Sequence, residues 1–110
     1  WDITGNAGEG TLMTFSPDPR NNPAAARVVK EFKAVGIEPE GYVLCSYAAL
    51  EVFDQAATDA GSTDYKKVLK AMKNNKFKTV LGILSFDKKG DVTLPGYVFY
   101  EWKNGNYKQL

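Results

Sequence analysis

Histidine is absent from the 110 residues, and cysteine occurs once, at Cys45. The first absence removes the commonest general base and the commonest metal ligand. The second excludes an internal disulfide and any cluster of thiolate metal ligands. Neither sign of charge is in excess: 14 Lys and Arg stand against 13 Asp and Glu, a net charge of +1. Nucleic-acid binding normally needs a basic surplus on one face, so no nucleic-acid partner is expected. No apolar run approaches the ~20 residues that cross a bilayer, so no transmembrane helix is expected either. The chain opens on Trp1 with no apolar leader. That start reads as one made by processing, cloning or proteolysis, with any targeting signal removed. These absences leave no catalytic residue, no cofactor and no metal site to expect.

What is present is ordinary for a globular protein of one small domain: 44% apolar and 25% charged residues. Gly10–Phe15 alternates enough to predict a short strand, closed by Ser16-Pro17-Asp18-Pro19. Asn21 and Asn22 are cap candidates before Pro23 at a first helical turn. Ala25, Val28, Val29, Phe32 and Val35 then recur at helical spacing until Gly36. After the turn Glu38–Gly41, an apolar run from Tyr42 to Leu50 continues into Val52, Phe53, Ala56, Ala57 and Ala60. Glu51, Asp54, Gln55, Thr58 and Asp59 fall on one narrow stripe, which predicts that most of this helix's circumference is buried. Gly61 ends it, and Ser62-Thr63-Asp64 caps a third helix with Tyr65, Val68, Leu69 and Met72 on its apolar face. Phe77–Phe86 reads as one extended segment interrupted by Gly82. Asp87–Asp91 and Pro95-Gly96 read as turns, Tyr97–Trp102 as a strand, and Asn104-Gly105 as a hairpin turn into Tyr107–Leu110. Three helices with wide apolar faces need a sheet or other helices to cover them. Too few strands are present, which points to a fragment, or to a chain that completes its core with a partner.

Several motifs yield to plainer readings. Cys45-Ser46 has no histidine to activate it, so Cys45 is read as a buried structural thiol. Asp87–Asp91 lacks the ligand spacing and closing Glu of a calcium loop. Lys66, Lys67, Lys70, Lys73, Lys76 and Lys78 make a solvated basic face. Glu38, Glu40, Glu51 and Asp54 are too scattered for an acid–base pair and are read as surface charge. Tyr42 and Tyr47 flank small residues at a loop-to-helix entry, where core packing competes with ligand contact.

One resemblance gathers these pieces. The runs Gly10–Thr14, Asp18-Pro19-Arg20, Asn22–Ala25, Glu40–Val43, Ser46–Ala49, Thr79–Gly82, Ser85–Asp91, Pro95–Tyr97 and Tyr100–Trp102 follow one another in fixed order. In that order the chain resembles the C-terminal third of the periplasmic branched-chain amino acid-binding proteins, type I solute-binding proteins of ABC importers. The resemblance covers essentially the whole chain and implies an α/β fold. Specifically, it implies an incomplete C-terminal fragment of a type I periplasmic-binding-protein clamshell, whose lobes are three-layer α/β/α sandwiches. Crossings between lobes would lie around Phe15-Ser16 and Tyr97-Val98. Residues of about 1–15 and 98–110 would then be second-lobe segments, and about 16–97 a first-lobe segment. The parallel strands that the helices cover would come from the missing N-terminal part.

By the same resemblance the parent is the substrate-binding component of an importer for branched-chain or related amino acids. It would be periplasmic, or extracellular and lipid-anchored, with the importer's membrane subunits as partners. The fragment itself would partner the missing N-terminal part or a second copy of the chain. Tyr42 is the one ligand-binding residue carried over, its ring packing on the ligand's side chain in an interlobe pocket. Leu44 stands where the family often has a bulky aromatic, and Cys45 where Thr is common, which leaves the ligand open. The alternatives are a ligand-sensing domain of a receptor or regulator with the same fold, or a fragment with no independent activity.

Overall fold

The computed structural model describes residues 2–94 and 96–110. They form two compact units, residues 2–17 with 96–110, and residues 18–94. The expected turn at Pro95-Gly96 falls partly outside the described residues, at Pro95.

In the first unit, strand β1 (Leu12–Phe15) pairs antiparallel with β4 (Val98–Lys103), which pairs antiparallel with β5 (Asn106–Gln109). The β4–β5 connection is the two-residue turn expected at Asn104-Gly105. Both residues have positive φ, 52° and 74°, as a turn that follows the strands' right-handed twist requires. The Glu9 carboxylate accepts from the Asn104 N–H at 2.8 Å and holds the turn. The register puts Met13, Phe15, Val98, Tyr100, Trp102 and Tyr107 on one face of this sheet. Tyr107 meets Trp102 and Tyr100 edge-on, with ring centroids 5.7 and 5.8 Å away. The Tyr100 hydroxyl donates to the Ser16 carbonyl at 2.9 Å, which satisfies the polar end of a buried ring.

The second unit is built on helices α1 (Ala26–Ala34), α2 (Val43–Ala60) and α3 (Tyr65–Asn74) with a hairpin of β2 (Phe77–Thr79) and β3 (Gly82–Leu84). Asn22 caps the short 3-10 turn Pro23–Ala25 that leads into α1, its side chain accepting from the Ala24 N–H. Asp64 caps α3 by accepting from the Lys67 N–H. Gly61 closes α2 in the left-handed conformation at φ 57°. On α2, Leu44, Ala48, Val52 and Ala56 recur every fourth residue and form the buried line. The first two meet Ala25, Val28 and Val80. The second two meet Val68, Phe77 and Leu84. Alanine at positions 48 and 56 leaves room for the neighbouring elements to pack close to the helix. Fully burying a side chain such as Leu44 or Phe77 contributes about 1.5–3 kcal/mol.

Five expectations need correction. Phe77–Phe86 is not one extended segment: the chain reverses at Val80-Leu81, so β2 and β3 pair with each other. The polar stripe of α2 is not uniformly wet. Gln55 and Glu51 turn to the backbone of the hairpin, where the Glu51 carboxylate accepts from the Val80 N–H at 2.8 Å. The circumference of α2 is also less buried than expected, since Leu50 is 71% exposed and Phe53 is 48% exposed. Within Asp18–Leu94 only one side of the helix meets α1, α3 and the hairpin. Finally, Val35 and Tyr65 lie exposed at the ends of their helices, and Cys45 is half-buried rather than a core thiol. Every named strand pairing among the described residues is antiparallel. The structure is therefore mixed helix and strand, as a partial α/β domain should be.

Asp87–Asp91 is a turn, as expected, with a specific cause. Asp87 Oδ1 accepts from the amides of Lys89, Gly90 and Asp91 at 2.8–2.9 Å, while the Asp87 N–H donates to the Asp91 carbonyl.

Candidate functional site

Tyr42 owes its position to a loop assembled from three local constraints. Gly36, at φ 79°, ends α1. Pro39 is fully buried and anchors the middle of the loop. Gly41, at φ 58°, then takes a conformation that costs an L side chain roughly 1–2 kcal/mol. Tyr42 follows as the N-cap residue of α2, at φ −95° and ψ 7°, and makes no side-chain cap bond. Its residue is 67% exposed. Leu44, two positions on, is completely buried and faces the core. Tyr47 is half-buried and stacks edge-on against Phe32 at 6.4 Å.

Both ends of this loop are held by charge. The Arg20 guanidinium grips Asp18 through Nε and Nη2, at 2.7–3.0 Å, in a side-on fork. Asp18 also accepts from the Arg20 backbone N–H and so caps the short helical turn Pro19–Asn21. Arg20 Nη1 then reaches Glu38 Oε1 at 3.0 Å and Glu40 Oε1 at 3.4 Å. Lys33 Nζ closes on the other oxygen of Glu38 at 3.2 Å. The Asp18 carboxyl is held below its ordinary value chiefly by the Arg20 side-chain hydrogen bond, against an opposing effect of burial. Glu38 is lowered first by Lys33 and then by Arg20.

The resemblance marks Tyr42 but not the charge cluster on the loop before it. Glu38 and Glu40, expected as scattered surface charge, converge on one guanidinium. The signal was available: two carboxylates at i and i+2 around a proline, and an Asp-Pro-Arg whose fixed proline φ favours a local fork. Glu51 was misread in the same way.

A groove of ≈ 230 Å³ is lined by Val28, Glu31, Phe32, Val35 and Tyr47, and one of ≈ 370 Å³ lies along Asp59, Lys67, Lys70 and Asn74. Tyr42 lines neither of these two grooves. Among the described residues no group of three His, Cys, Asp or Glu could hold a metal ion. No helix among them is long and apolar enough to cross a membrane.

Comparison with known proteins gives this arrangement a context. A family model for periplasmic binding proteins matches residues 1–106. The chain is 60% identical over 104 residues to the Leu/Ile/Val-binding protein homolog 1 of Brucella suis biovar 1, covering 94% of this chain and 28% of that protein. An amino acid binding protein of Pseudomonas aeruginosa is 45% identical over 103 residues, covering 93% of this chain and 28% of that protein. Among solved structures, a leucine binding protein from Thermotoga maritima superposes with a TM-score of 0.78 at 30% identity, over 99% of this chain and 32% of that one. The chain therefore spans under a third of the length of the relatives it matches.

Proposed function

Because the chain belongs to the periplasmic binding protein family, we propose that it is part of the substrate-binding component of an ABC importer for branched-chain or related amino acids. The carrying observation is the 60% identity to a Brucella protein named for leucine, isoleucine and valine. The family is a solute-binding one, and a binding role needs none of the catalytic groups that the sequence lacks.

In this reading residues of about 16–97 are a first-lobe segment, and those of about 1–15 and 98–110 are second-lobe segments of the parent. Tyr42 supplies one ligand contact. Its exposed ring offers a flat apolar surface to an aliphatic side chain and withdraws that side chain from water. The ligand's charged groups are held by residues of the parent outside these 110. Lobe closure on the ligand is the state that the importer's membrane subunits recognise. The parent works in the periplasm, or outside the cell on a lipid anchor.

Titration calorimetry on the full-length protein tests this with leucine, isoleucine, valine, and aromatic and amide amino acids. Saturable one-to-one heats with the branched-chain set are expected. Tyr42→Ala should weaken leucine binding by about tenfold, the equivalent of ~1.4 kcal/mol. Absence of binding to any of these amino acids would overturn the proposal.

A further inference from the structure

The Asn104-Gly105 turn carries chemistry besides its geometry. Seven asparagines occur among the 110 residues. Four have their side chains tied. Asn22 accepts from the Ala24 N–H and Asn106 from the Tyr107 N–H, while Asn74 donates to the Lys70 carbonyl and Asn75 to Asp59. After Asn6 and Asn21 the next N–H is bonded, that of Ala7 to the Thr4 carbonyl and that of Asn22 to the Pro19 carbonyl, both at 3.1 Å. Only at Asn104, among the described residues, do three conditions meet. Its exposed carboxamide has no hydrogen-bond partner, the N–H of the next residue has none either, and that residue, Gly105, has no Cβ to shield its nitrogen. We propose that Asn104-Gly105 is a self-modification site, where the chain turns an amide into an acid through a cyclic imide with water as co-reactant, and that Glu9 restrains it.

The Gly105 nitrogen, once hydroxide has taken its proton, attacks the side-chain carbonyl carbon of Asn104. A bond from that nitrogen to Cγ forms and the bond from Cγ to Nδ2 breaks. Nδ2 takes a proton from water and leaves as ammonia, which restores the hydroxide. Water then opens the imide at either carbonyl, to give aspartate or, with the main chain rerouted through the side chain, isoaspartate. Attacker and target sit on adjacent residues, so the step gains from proximity. Glu9 opposes it twice. Its carboxylate holds the Asn104 N–H at 2.8 and 3.0 Å, which resists the rotation that carries Cγ over the Gly105 nitrogen. Its negative charge also disfavours an anion at the amide next to it. The isoaspartyl product adds a backbone carbon to a two-residue turn. The Lys103–Asn106 pairing and the Tyr107 contact with Trp102 depend on that turn's length, so both should be lost.

The test is incubation of the full-length protein in mildly alkaline buffer, with peptide mapping by mass spectrometry over time. Residue 104 should gain the amide-to-acid mass difference first, severalfold faster than any other asparagine of these 110, with fragment ions separating it from Asn106. Part of the product should be isoaspartate, read by its selective enzymatic methylation, and the rate should rise with hydroxide. Glu9→Gln, which removes the charge, should speed the conversion severalfold, and Glu9→Ala should speed it further. In urea, where the Glu9 bonds are gone, the unaltered protein should react faster than it does when native, and the Glu9 variants no faster than it. The restraint is thus readable even if a variant does not fold. Persistence of Asn104 for as long as Asn6 or Asn21 would overturn the site. Acid at residue 104 with no isoaspartate would show direct hydrolysis in place of the imide and overturn it too. Equal native and urea rates, or an unchanged native rate in the folded Glu9 variants, would overturn the role of Glu9.

Discussion

Gln55 stands in for a strand beside Lys78. Its amide nitrogen donates to the Lys78 carbonyl at 2.9 Å, and its carbonyl accepts from the Lys78 N–H at 3.1 Å. The edge of β2 turned away from β3 thus finds its partners on a helix, with Glu51 bonding the Val80 N–H one helical turn earlier. Gln55→Leu should lower stability by about 1 kcal/mol, since both groups return to water at an exposed edge. Gln55→Glu should keep the bond to the N–H and lose the one to the carbonyl, and its ionised form should repel that carbonyl. Its urea midpoint should therefore fall as pH rises past the carboxylate range, whereas that of Gln55→Leu should not.

Phe77 is completely buried between Val52, Ala56, Val68 and Leu84, with the Phe86 ring 6.4 Å away. Phe77→Ala should cost about 3–5 kcal/mol, because the helix and hairpin backbones around the hole can close on it only in part. Ala56→Leu probes the same contact from the other side. The three added side-chain carbons fit only by pushing the neighbours off their rotamers, at a cost of about 1–3 kcal/mol. Chemical denaturation of both variants separates a cavity from a clash: a small apolar ligand should partly rescue the first and not the second.

Asp18 makes stability depend on acid. Its carboxyl is held below its ordinary value, mainly by Arg20, so the native state favours the ionised form more than the unfolded chain does. The stabilisation is complete above the unfolded value, near pH 4, and disappears as pH falls through the lower folded value. Asp18→Asn should be less stable than the parent sequence at pH 7, and the two should converge in strongly acidic buffer. A constant gap between their unfolding curves from pH 7 down to pH 2 would contradict this.

Gly41 has open space where a Cβ would sit, so replacing it meets no steric wall. Gly41→Ala should still cost roughly 1–2 kcal/mol, because φ 58° strains any L side chain. Asn tolerates that region better, so Gly41→Asn should lose less. Thermal unfolding of the two variants gives the order directly.

The sequence showed its elements well where local chemistry decides them. Asn22 and Asp64 announce their helices as capping residues, and Asn104-Gly105 announces its hairpin through φ. It failed where a side chain's partner is distant along the chain. Nothing around Gln55 says that residue 78 will meet it, and a polar residue on an amphipathic helix reads as wet by default. The Phe77–Phe86 reversal was hidden for a related reason: Val80-Leu81 is apolar, and beside Gly82 at φ 98° its turn is held by Thr79 Oγ1 and the distant Glu51. At the candidate site, the resemblance marked Tyr42, but convergence of Glu38 and Glu40 on Arg20 depends on where α1 returns the chain.

On the first turn of α2, three residues past Tyr42, lies the single thiol of these 110 residues, half-buried and free. An environment-sensitive dye on Cys45 would make that turn its own gauge of occupancy. Ligand screening could then be done optically, with no labelling residue introduced into this stretch.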